Sequence, residues 1–180
     1  MPRQNRAPRG FSLVELTLAL AILGATLLYA GPAYEQFLAY YRLRSHAQAL
    51  AGSLNLARSE AVKRGLRVNV CQSVDLASCS HGAGFEAGWL LHVDADNQGQ
   101  PDPGDRPIRA EPHAPKGITI RGNAPVADFV SYTPLGHARR PNGALQMGTF
   151  TVCSPGLAGV EVVLAHSGRV RIVNTSTPCV

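Results

Sequence analysis

Two arginines that follow a glycine near the end of the chain have the chemistry to bind anions. Gly168, Arg169, Val170 and Arg171 are consecutive, and alternate residues of a β-strand point to the same face, so Arg169 and Arg171 would project together. A planar guanidinium group can donate two parallel hydrogen bonds to phosphate oxygens. The stretch therefore predicts a phosphate-binding edge, although arginines also occur on exposed strands that bind nothing.

A second basic pair, Arg139 and Arg140, stands between Gly136 and the turn-forming residues Pro141-Asn142-Gly143. This pattern predicts a loop that presents two more cations. Few aromatic residues flank either arginine pair. Stacking against nucleobases is therefore not indicated, and contacts with a nucleic acid would be mainly to its backbone.

Charge is unevenly distributed along the chain. Residues 71–105 carry six acidic side chains and no basic one, a net charge of −6. Residues 106–180 carry eight basic and three acidic side chains, a net charge of +5. This separation favours an electrostatic partner for one face of the protein, whereas a solvated polar surface is the ordinary alternative.

Four cysteines, at positions 71, 79, 153 and 179, predict two disulfides if the domain is exported. Three pairings are possible, and we favour Cys71–Cys79, which would close a short loop, and Cys153–Cys179, which would tie the C-terminal tail to the core. A zinc site made by Cys71, Cys79 and His81 is the alternative, but the spacing typical of structural zinc sites is absent.

No other pattern predicts catalysis or a cofactor. The segment from Asp94 to Asp105 nearly matches a calcium-binding loop, but Gln98 and Asp105 replace the usual ligands and no flanking helix pair is evident. The six histidines lie outside any metalloprotease or nucleophile motif. We therefore expect neither an enzyme nor a resident metal.

The N-terminal region predicts a membrane segment with an unusual charge. Arginines at positions 3, 6 and 9 precede Gly10 and Phe11, and residues 16–30 carry no charge. Residues 13–30 would span roughly 27 Å as a helix, enough for a bilayer core, with the N-terminus cytoplasmic. Within them Glu15 is the one charged residue, and a charge at the bilayer centre costs about 2.5–3.5 kcal/mol. Glu15 is therefore expected to have a function.

Beyond this region the pattern predicts one more helical stretch. Pro32 removes a helical hydrogen bond and predicts a kink. Residues 34–64 then repeat apolar side chains at three- and four-residue steps, and Gly65 is a plausible stop. The predicted stripe comprises Phe37, Tyr41, Ala47, Leu50, Leu54, Ala57 and Ala61.

After Gly65 the sequence alternates between short apolar runs and turns, which predicts six or seven strands. They are expected at residues 66–70, 89–93, 118–120, 129–132, 149–152, 159–165 and 169–173. Residues 98–115 are rich in Pro, Gly and Asp and predict a loop. One long helix followed by strands indicates an α+β fold.

Three stretches of the chain together carry a family resemblance. The first is Gly10 to Glu15 with the apolar run behind it, which is similar to a prepilin peptidase site. The second is residues 57–65 followed by a strand that ends in Cys71, and the third is Gly88-Trp89 with an Asp-rich hairpin after it. Together they resemble the GspH/FimT family of type IV pilin-like proteins. The resemblance covers essentially the whole chain and implies the type IV pilin fold, a long N-terminal helix packed on an antiparallel sheet domain.

The resemblance also implies how the protein is processed and placed. Prepilin peptidase would remove residues 1–10, and Phe11 would become the methylated N-terminus. Residues 11–33 would be the transmembrane half of the helix, residues 34–64 its amphipathic half, and residues 65–180 the globular domain. Glu15 would pair with a neighbouring subunit's N-terminal amine during assembly, and Pro32 would mark a bend. An uncut signal anchor, or an ordinary secretory signal, is the alternative.

The arginine pair refines the expected function. Gly168 to Arg171 resembles the G-R-x-R element of FimT-type minor pilins, which bind DNA in natural transformation. This implies an inner-membrane protein with a periplasmic domain that joins an extracellular pilus with other subunits and binds double-stranded DNA through Arg169, Arg171, Arg139 and Arg140. The alternative is a FimU- or GspH-like subunit that initiates or caps a pilus or a type II secretion pseudopilus and binds no DNA.

Overall fold

The structure, a computed structural model, describes residues 10, 12–101 and 107–179, without the side chains of Tyr29, Pro32 and Ala33. The chain divides into two compact units, Met1–Ala39 and Tyr40–Val180. Of the predicted sites, residues 1–9 of the leader and Phe11 lie outside the described residues, as does Asp105 of the acidic loop.

One long helix, α1, extends over Leu13–Arg64. Ser12 caps its start, since its hydroxyl accepts a hydrogen bond from the Glu15 backbone N–H at 3.2 Å. Its end is set by Gly65, which adopts a φ of +66° that other residues avoid. The helix is assigned without a break through position 32, and the kink expected at Pro32 stays a prediction.

We find no helix in the described part of the chain that combines the length and apolarity required of a membrane span. The membrane-spanning segment expected within residues 11–33 therefore stays a prediction.

The second half of α1 contributes one face to the protein core. Six apolar side chains on it have no exposed surface, and they follow one another at alternating four- and three-residue steps: Leu43, Ala47, Leu50, Leu54, Ala57 and Ala61. The predicted stripe is confirmed from Ala47 onward, but it was wrong for Phe37 and Tyr41, which are 62% and 65% exposed. Their positions fall off the 3.6-residue period on which the other six lie.

Eight strands follow within the described residues, and they form two four-stranded antiparallel sheets. The strand order is β3-β2-β1-β5 in the first sheet and β4-β6-β7-β8 in the second. The strands are β1 Val68–Gln72, β2 Trp89–Val93, β3 Arg109–Glu111, β4 Thr119–Gly122, β5 Phe129–Tyr132, β6 Gly148–Cys153, β7 Ala158–Leu164 and β8 Val170–Pro178. The α+β prediction is thus confirmed.

Strand β3 corrects the prediction of an uninterrupted loop over residues 98–115. It pairs with β2, with Trp89 opposite Glu111 and Leu91 opposite Arg109. Its three residues have no apolar alternation, so the pairing depends on backbone hydrogen bonds that no local pattern encodes.

The core joins α1 to both sheets. Phe85 and Phe150 meet edge to face with ring centroids 5.1 Å apart. The buried Trp89 on β2 donates a hydrogen bond from its indole Nε1 to the Ser53 hydroxyl on α1 at 3.0 Å. This bond satisfies two polar groups that would otherwise be buried without partners.

Both predicted disulfides are present. Cys71 pairs with Cys79 and Cys153 pairs with Cys179, with Cα atoms 5.6 and 5.5 Å apart. The zinc alternative was wrong, because sulfurs bonded to each other are not thiolate ligands. His81 instead lies 3.6 Å from a carboxylate oxygen of Asp128. The first disulfide closes the loop after β1, and the second holds the chain end beyond β8 against the strand pair β6–β7.

The Trp89–Ser53 bond leads to a stability prediction. Ser53→Ala leaves the buried indole N–H without a partner and should lower the free energy of unfolding by about 1–3 kcal/mol. The measurement is a urea titration of the polypeptide that starts at Tyr40 and contains the whole core. The exposed Ser59 on the same helix is the matched control, and Ser59→Ala should change stability by less than about 0.5 kcal/mol. Equal losses in both variants would contradict the assigned role.

The two disulfides should differ in their contributions. Their sequence separations are 26 and 8 residues, so loop-closure entropy predicts about 3.5 kcal/mol for Cys153–Cys179 and about 2.5 kcal/mol for Cys71–Cys79. Replacing each pair by two alanines and comparing urea midpoints measures the difference. A larger loss for the shorter loop would show that chain entropy is not the main contribution.

Candidate functional site

The arginine motif lies on the hairpin between β7 and β8, as the sequence predicted. The Gly168 N–H donates to the Ala165 carbonyl at 2.9 Å, and the Ala165 N–H donates to the Arg169 carbonyl at 2.9 Å. Gly168 has a φ of +79°, a value that a glycine adopts without the strain of a side chain. The tight turn places the first residue after it, Arg169, immediately before the edge strand β8.

Arg169 and Arg171 project to the same side of the hairpin. Val163 lies opposite Arg171 in the strand register, and both arginines line one open groove of about 380 Å³. The other lining residues are Val163, Ala165, Ser167 and Val170. Both arginine side chains are exposed, and neither guanidinium group has a hydrogen bond or ion pair with any residue in the described ranges. The site therefore combines two unpaired cations with a partly apolar floor.

The second basic pair is used differently. Arg139 donates from Nη1 to the Gly143 carbonyl at 3.0 Å. Arg140 directs Nη2 toward the Pro125 carbonyl at 3.4 Å and lies over the Phe129 ring, 5.9 Å from its centroid. Both side chains are half-buried. These two arginines stabilise their own loop, and they offer fewer unpaired donors to a ligand than Arg169 and Arg171.

The two basic loops nevertheless lie side by side. The Ala138 N–H donates to the His166 carbonyl at 3.2 Å, which joins the loop after β5 to the β7–β8 turn. Gly168 packs so closely there that a Cβ atom on it would overlap the Gly136 carbonyl oxygen. The structure thus places next to each other the two loops that carry the arginine pairs.

Arg58 on α1 is the residue of this site that sequence reasoning missed. Its Nε donates to the Gly136 carbonyl at 3.0 Å, and the same atom would lie 3.2 Å from a Cβ placed on Gly168. Arg58 falls outside the apolar stripe that the sequence predicts for α1. No local signal identifies a partner 78 residues away.

A buried tyrosine lies near this contact. Tyr132 at the end of β5 has no exposed surface, and its hydroxyl makes no hydrogen bond with the residues that the structure describes. Burial raises the pKa of Tyr132 well above its usual range, while the positive charge of Arg58 acts in the opposite direction. The phenol therefore stays neutral and adds no negative charge beside the basic loops.

The acidic loop after β2 has its own internal contacts. The buried Asp94 accepts hydrogen bonds from Asn69 Nδ2 at 2.7 Å and from the Gly99 N–H at 3.1 Å. Asp96 accepts one from the Gln98 N–H at 3.0 Å. These carboxylates support the loop, and the calcium alternative stays untested because Asp105 lies outside the described residues.

The close packing at Gly168 leads to a prediction. Gly168→Ala should lower the free energy of unfolding by about 3 kcal/mol, because it adds both left-handed strain and overlap with a carbonyl oxygen. Gly143 is the matched control, since it has a φ of +84° but open space around it, and Gly143→Ala should cost about 1 kcal/mol. Urea denaturation of both variants provides the comparison. If the two variants were equally stable, the close contact between the two loops would make no contribution to stability.

Known proteins share this architecture. The sequence profile of the family described as Type II transport protein GspH matches residues 46–175. The chain is also similar to the pilin-like protein PilA1 of Thermus thermophilus, with 30% identity over 178 residues that cover 91% of this chain and 97% of that protein.

Two solved structures have a similar fold. The type IV minor pilin FimU of Pseudomonas aeruginosa aligns with a TM-score of 0.60 and 20% identity, over 78% of this chain and 98% of that chain. The minor pseudopilin EpsH from the Type 2 Secretion System of Vibrio cholerae aligns with a TM-score of 0.51 and 13% identity, over 76% of this chain and 99% of that chain. These relatives are structural subunits rather than enzymes. The chain therefore belongs to the GspH/FimT family of type IV pilin-like proteins and has the role of a minor pilin or pseudopilin.

Proposed function

We propose that this chain is a minor pilin that binds extracellular double-stranded DNA through Arg169 and Arg171, for uptake in natural transformation. One observation carries the proposal. The two arginines line a single groove, and neither guanidinium group has a partner within the described residues. The hairpin that presents them is tightly constrained by Gly168.

The chemistry of the groove suits a phosphate backbone. Each guanidinium can donate a pair of hydrogen bonds to phosphate oxygens, and a rigid turn reduces the entropy lost when the arginines engage a ligand. Phosphate contacts carry no sequence information. Binding should therefore be weakly selective for sequence and strongly dependent on salt.

Arg139 and Arg140 have a supporting part in this proposal. Their guanidinium groups hold the loop after β5 through contacts with Gly143 and Pro125, and that loop is bonded to the arginine turn by the Ala138–His166 hydrogen bond. They keep the turn in place and add positive potential to it.

Processing and placement follow the family. Prepilin peptidase cuts after Gly10 and Phe11 becomes the methylated N-terminus. The N-terminal half of α1 then anchors the protein in the inner membrane with the globular domain in the periplasm. On assembly Glu15 pairs with the N-terminal amine of a neighbouring subunit, and the subunit joins the extracellular pilus. A buried carboxylate in lipid requires such a cation.

A purely structural subunit is the second candidate, and the likeness to FimU and EpsH favours it. Such a subunit would initiate or cap a pilus or a type II secretion pseudopilus and would need contacts with neighbouring subunits alone. The two candidates differ in what the arginine hairpin must touch.

Salt-dependent DNA binding distinguishes the two candidates. The full chain in a neutral detergent is titrated with a short fluorescent duplex at several KCl concentrations, and the affinity is read from anisotropy. The affinity should fall as salt rises, and Arg169→Ala or Arg171→Ala should each reduce the slope of log affinity against log salt by about 0.9, the value for one lost phosphate contact.

The control for this titration is Arg42→Ala. Arg42 is an exposed arginine on α1 that lines neither the arginine groove nor its supporting loop, so its replacement should leave the slope unchanged. If the full chain shows no DNA binding at low salt, or if all three variants behave alike, the structural candidate is correct.

A further inference from the structure

A second open groove lies beside the arginine hairpin, on the last turns of α1. Its volume is about 390 Å³, and Arg58, Ser59, Val62 and Lys63 line it. The groove therefore offers two cations and a hydroxyl donor on one short stretch of helix. Arg58 also holds the Gly136 carbonyl, but Ser59 and Lys63 are exposed and lie off the buried stripe of α1, so packing of the helix does not require them.

Arg58 links this groove to the arginine turn. Its Nε is occupied by the Gly136 carbonyl at 3.0 Å, whereas its two terminal nitrogens have no partner in the described part of the chain. A guanidinium group has five N–H donors in a fixed plane. When one is used to hold the turn, four remain, and the side chain that presents them also lines the second groove.

Lys63 adds a second positive charge, which the neighbouring carboxylate neutralises only weakly. Its side chain is 78% exposed, and its ammonium lies 3.9 Å from Glu60 Oε1, a weak contact for an exposed pair. The other oxygen of Glu60 is held by Arg64 Nε at 2.6 Å. Glu60 is therefore paired chiefly with Arg64, and Lys63 keeps most of its charge available.

We propose that Arg58, Ser59 and Lys63 form a second phosphate site and that one DNA backbone contacts both this site and the Arg169–Arg171 groove. This inference rests on the proposed function, because it extends the same DNA contact. Arg58 has two parts in it: it positions the turn through the Gly136 carbonyl and offers its remaining donors to a phosphate.

Anionic lipid headgroups present the same phosphate chemistry, but the structure favours DNA. Arg58 bonds directly to the loop packed against the arginine hairpin and also lines the second groove, so one side chain connects that groove to the arginine turn. A single extended polyanion can occupy both and gain from their combined binding, because the second contact becomes intramolecular once the first has formed.

Lys63 is the residue to replace, since it is exposed and its loss should not disturb the fold. Full chain in neutral detergent is titrated with a short fluorescent duplex over a KCl series. Lys63→Gln should weaken binding several-fold at low salt and lower the salt slope by about 0.9, and Lys63→Gln combined with Arg171→Ala should lower it by about 1.8. Lys116→Gln is the matched control, because Lys116 is an exposed lysine in the loop between β3 and β4 and its replacement should leave the slope unchanged.

The outcomes separate this inference from the proposed function. If Arg171→Ala lowers the slope and Lys63→Gln does not, the second site is wrong and the DNA-binding function stands. No binding by the unsubstituted chain would overturn both. Vesicles of neutral lipid containing phosphatidylglycerol provide the last comparison: if Lys63→Gln abolishes vesicle binding while DNA binding is unchanged, the groove is a headgroup site and the inference is overturned.

Discussion

The burial of one face of α1 is the constraint on which the rest of this structure depends. Leu43, Leu50 and Leu54 have no exposed surface, and the core that they enter includes strands from both sheets. A sheet with one apolar face must bury that face against another element, and α1 supplies part of that surface. Ser53 also accepts the hydrogen bond of the buried Trp89 indole at 3.0 Å, so the same helix face fixes the position of β2 by a directional contact as well as by packing.

The opposite edge of the same helix organises the candidate site. Arg58 is one residue beyond the buried Ala57, and this offset turns its guanidinium toward the Gly136 carbonyl instead of the core. The loop after β5 and the β7–β8 turn then meet at Gly168, where no side chain fits. Helix packing and loop geometry are therefore coupled, because a shift of α1 would move the atom that holds both loops. Arg169 and Arg171 are therefore presented by a turn that packs against the loop after β5.

In this family the residues that determine the fold are distinct from the surface residues that meet a partner. The α+β architecture is shared with FimU and EpsH at 20% and 13% identity, which is possible because apolar patterning and strand pairing tolerate many sequences. The surface that meets a partner is under no such packing constraint. Arg169 and Arg171 have no partner among the described residues and line a partly apolar groove. This arrangement is compatible with a structural subunit, and under the DNA-binding proposal the same two arginines would meet the phosphate backbone.

The sequence by itself determined the elements whose signals are local. The long helix and its stop at Gly65, most strands, the β7–β8 hairpin and the α+β class follow from periodicity and turn chemistry, and both disulfide pairings were preferred correctly. The stripe was placed wrongly at Phe37 and Tyr41, because the face that α1 buries is known only once the helix has packed. Strand β3 was missed, because it pairs through its backbone and has no apolar pattern. Only the tertiary structure decided that Arg139 and Arg140 support a loop, that Arg169 and Arg171 have no partner among the described residues, and that Arg58 contacts the Gly136 carbonyl beside their turn. These facts depend on contacts between residues far apart in the chain, and such contacts form only after the helix and both sheets have packed around one core.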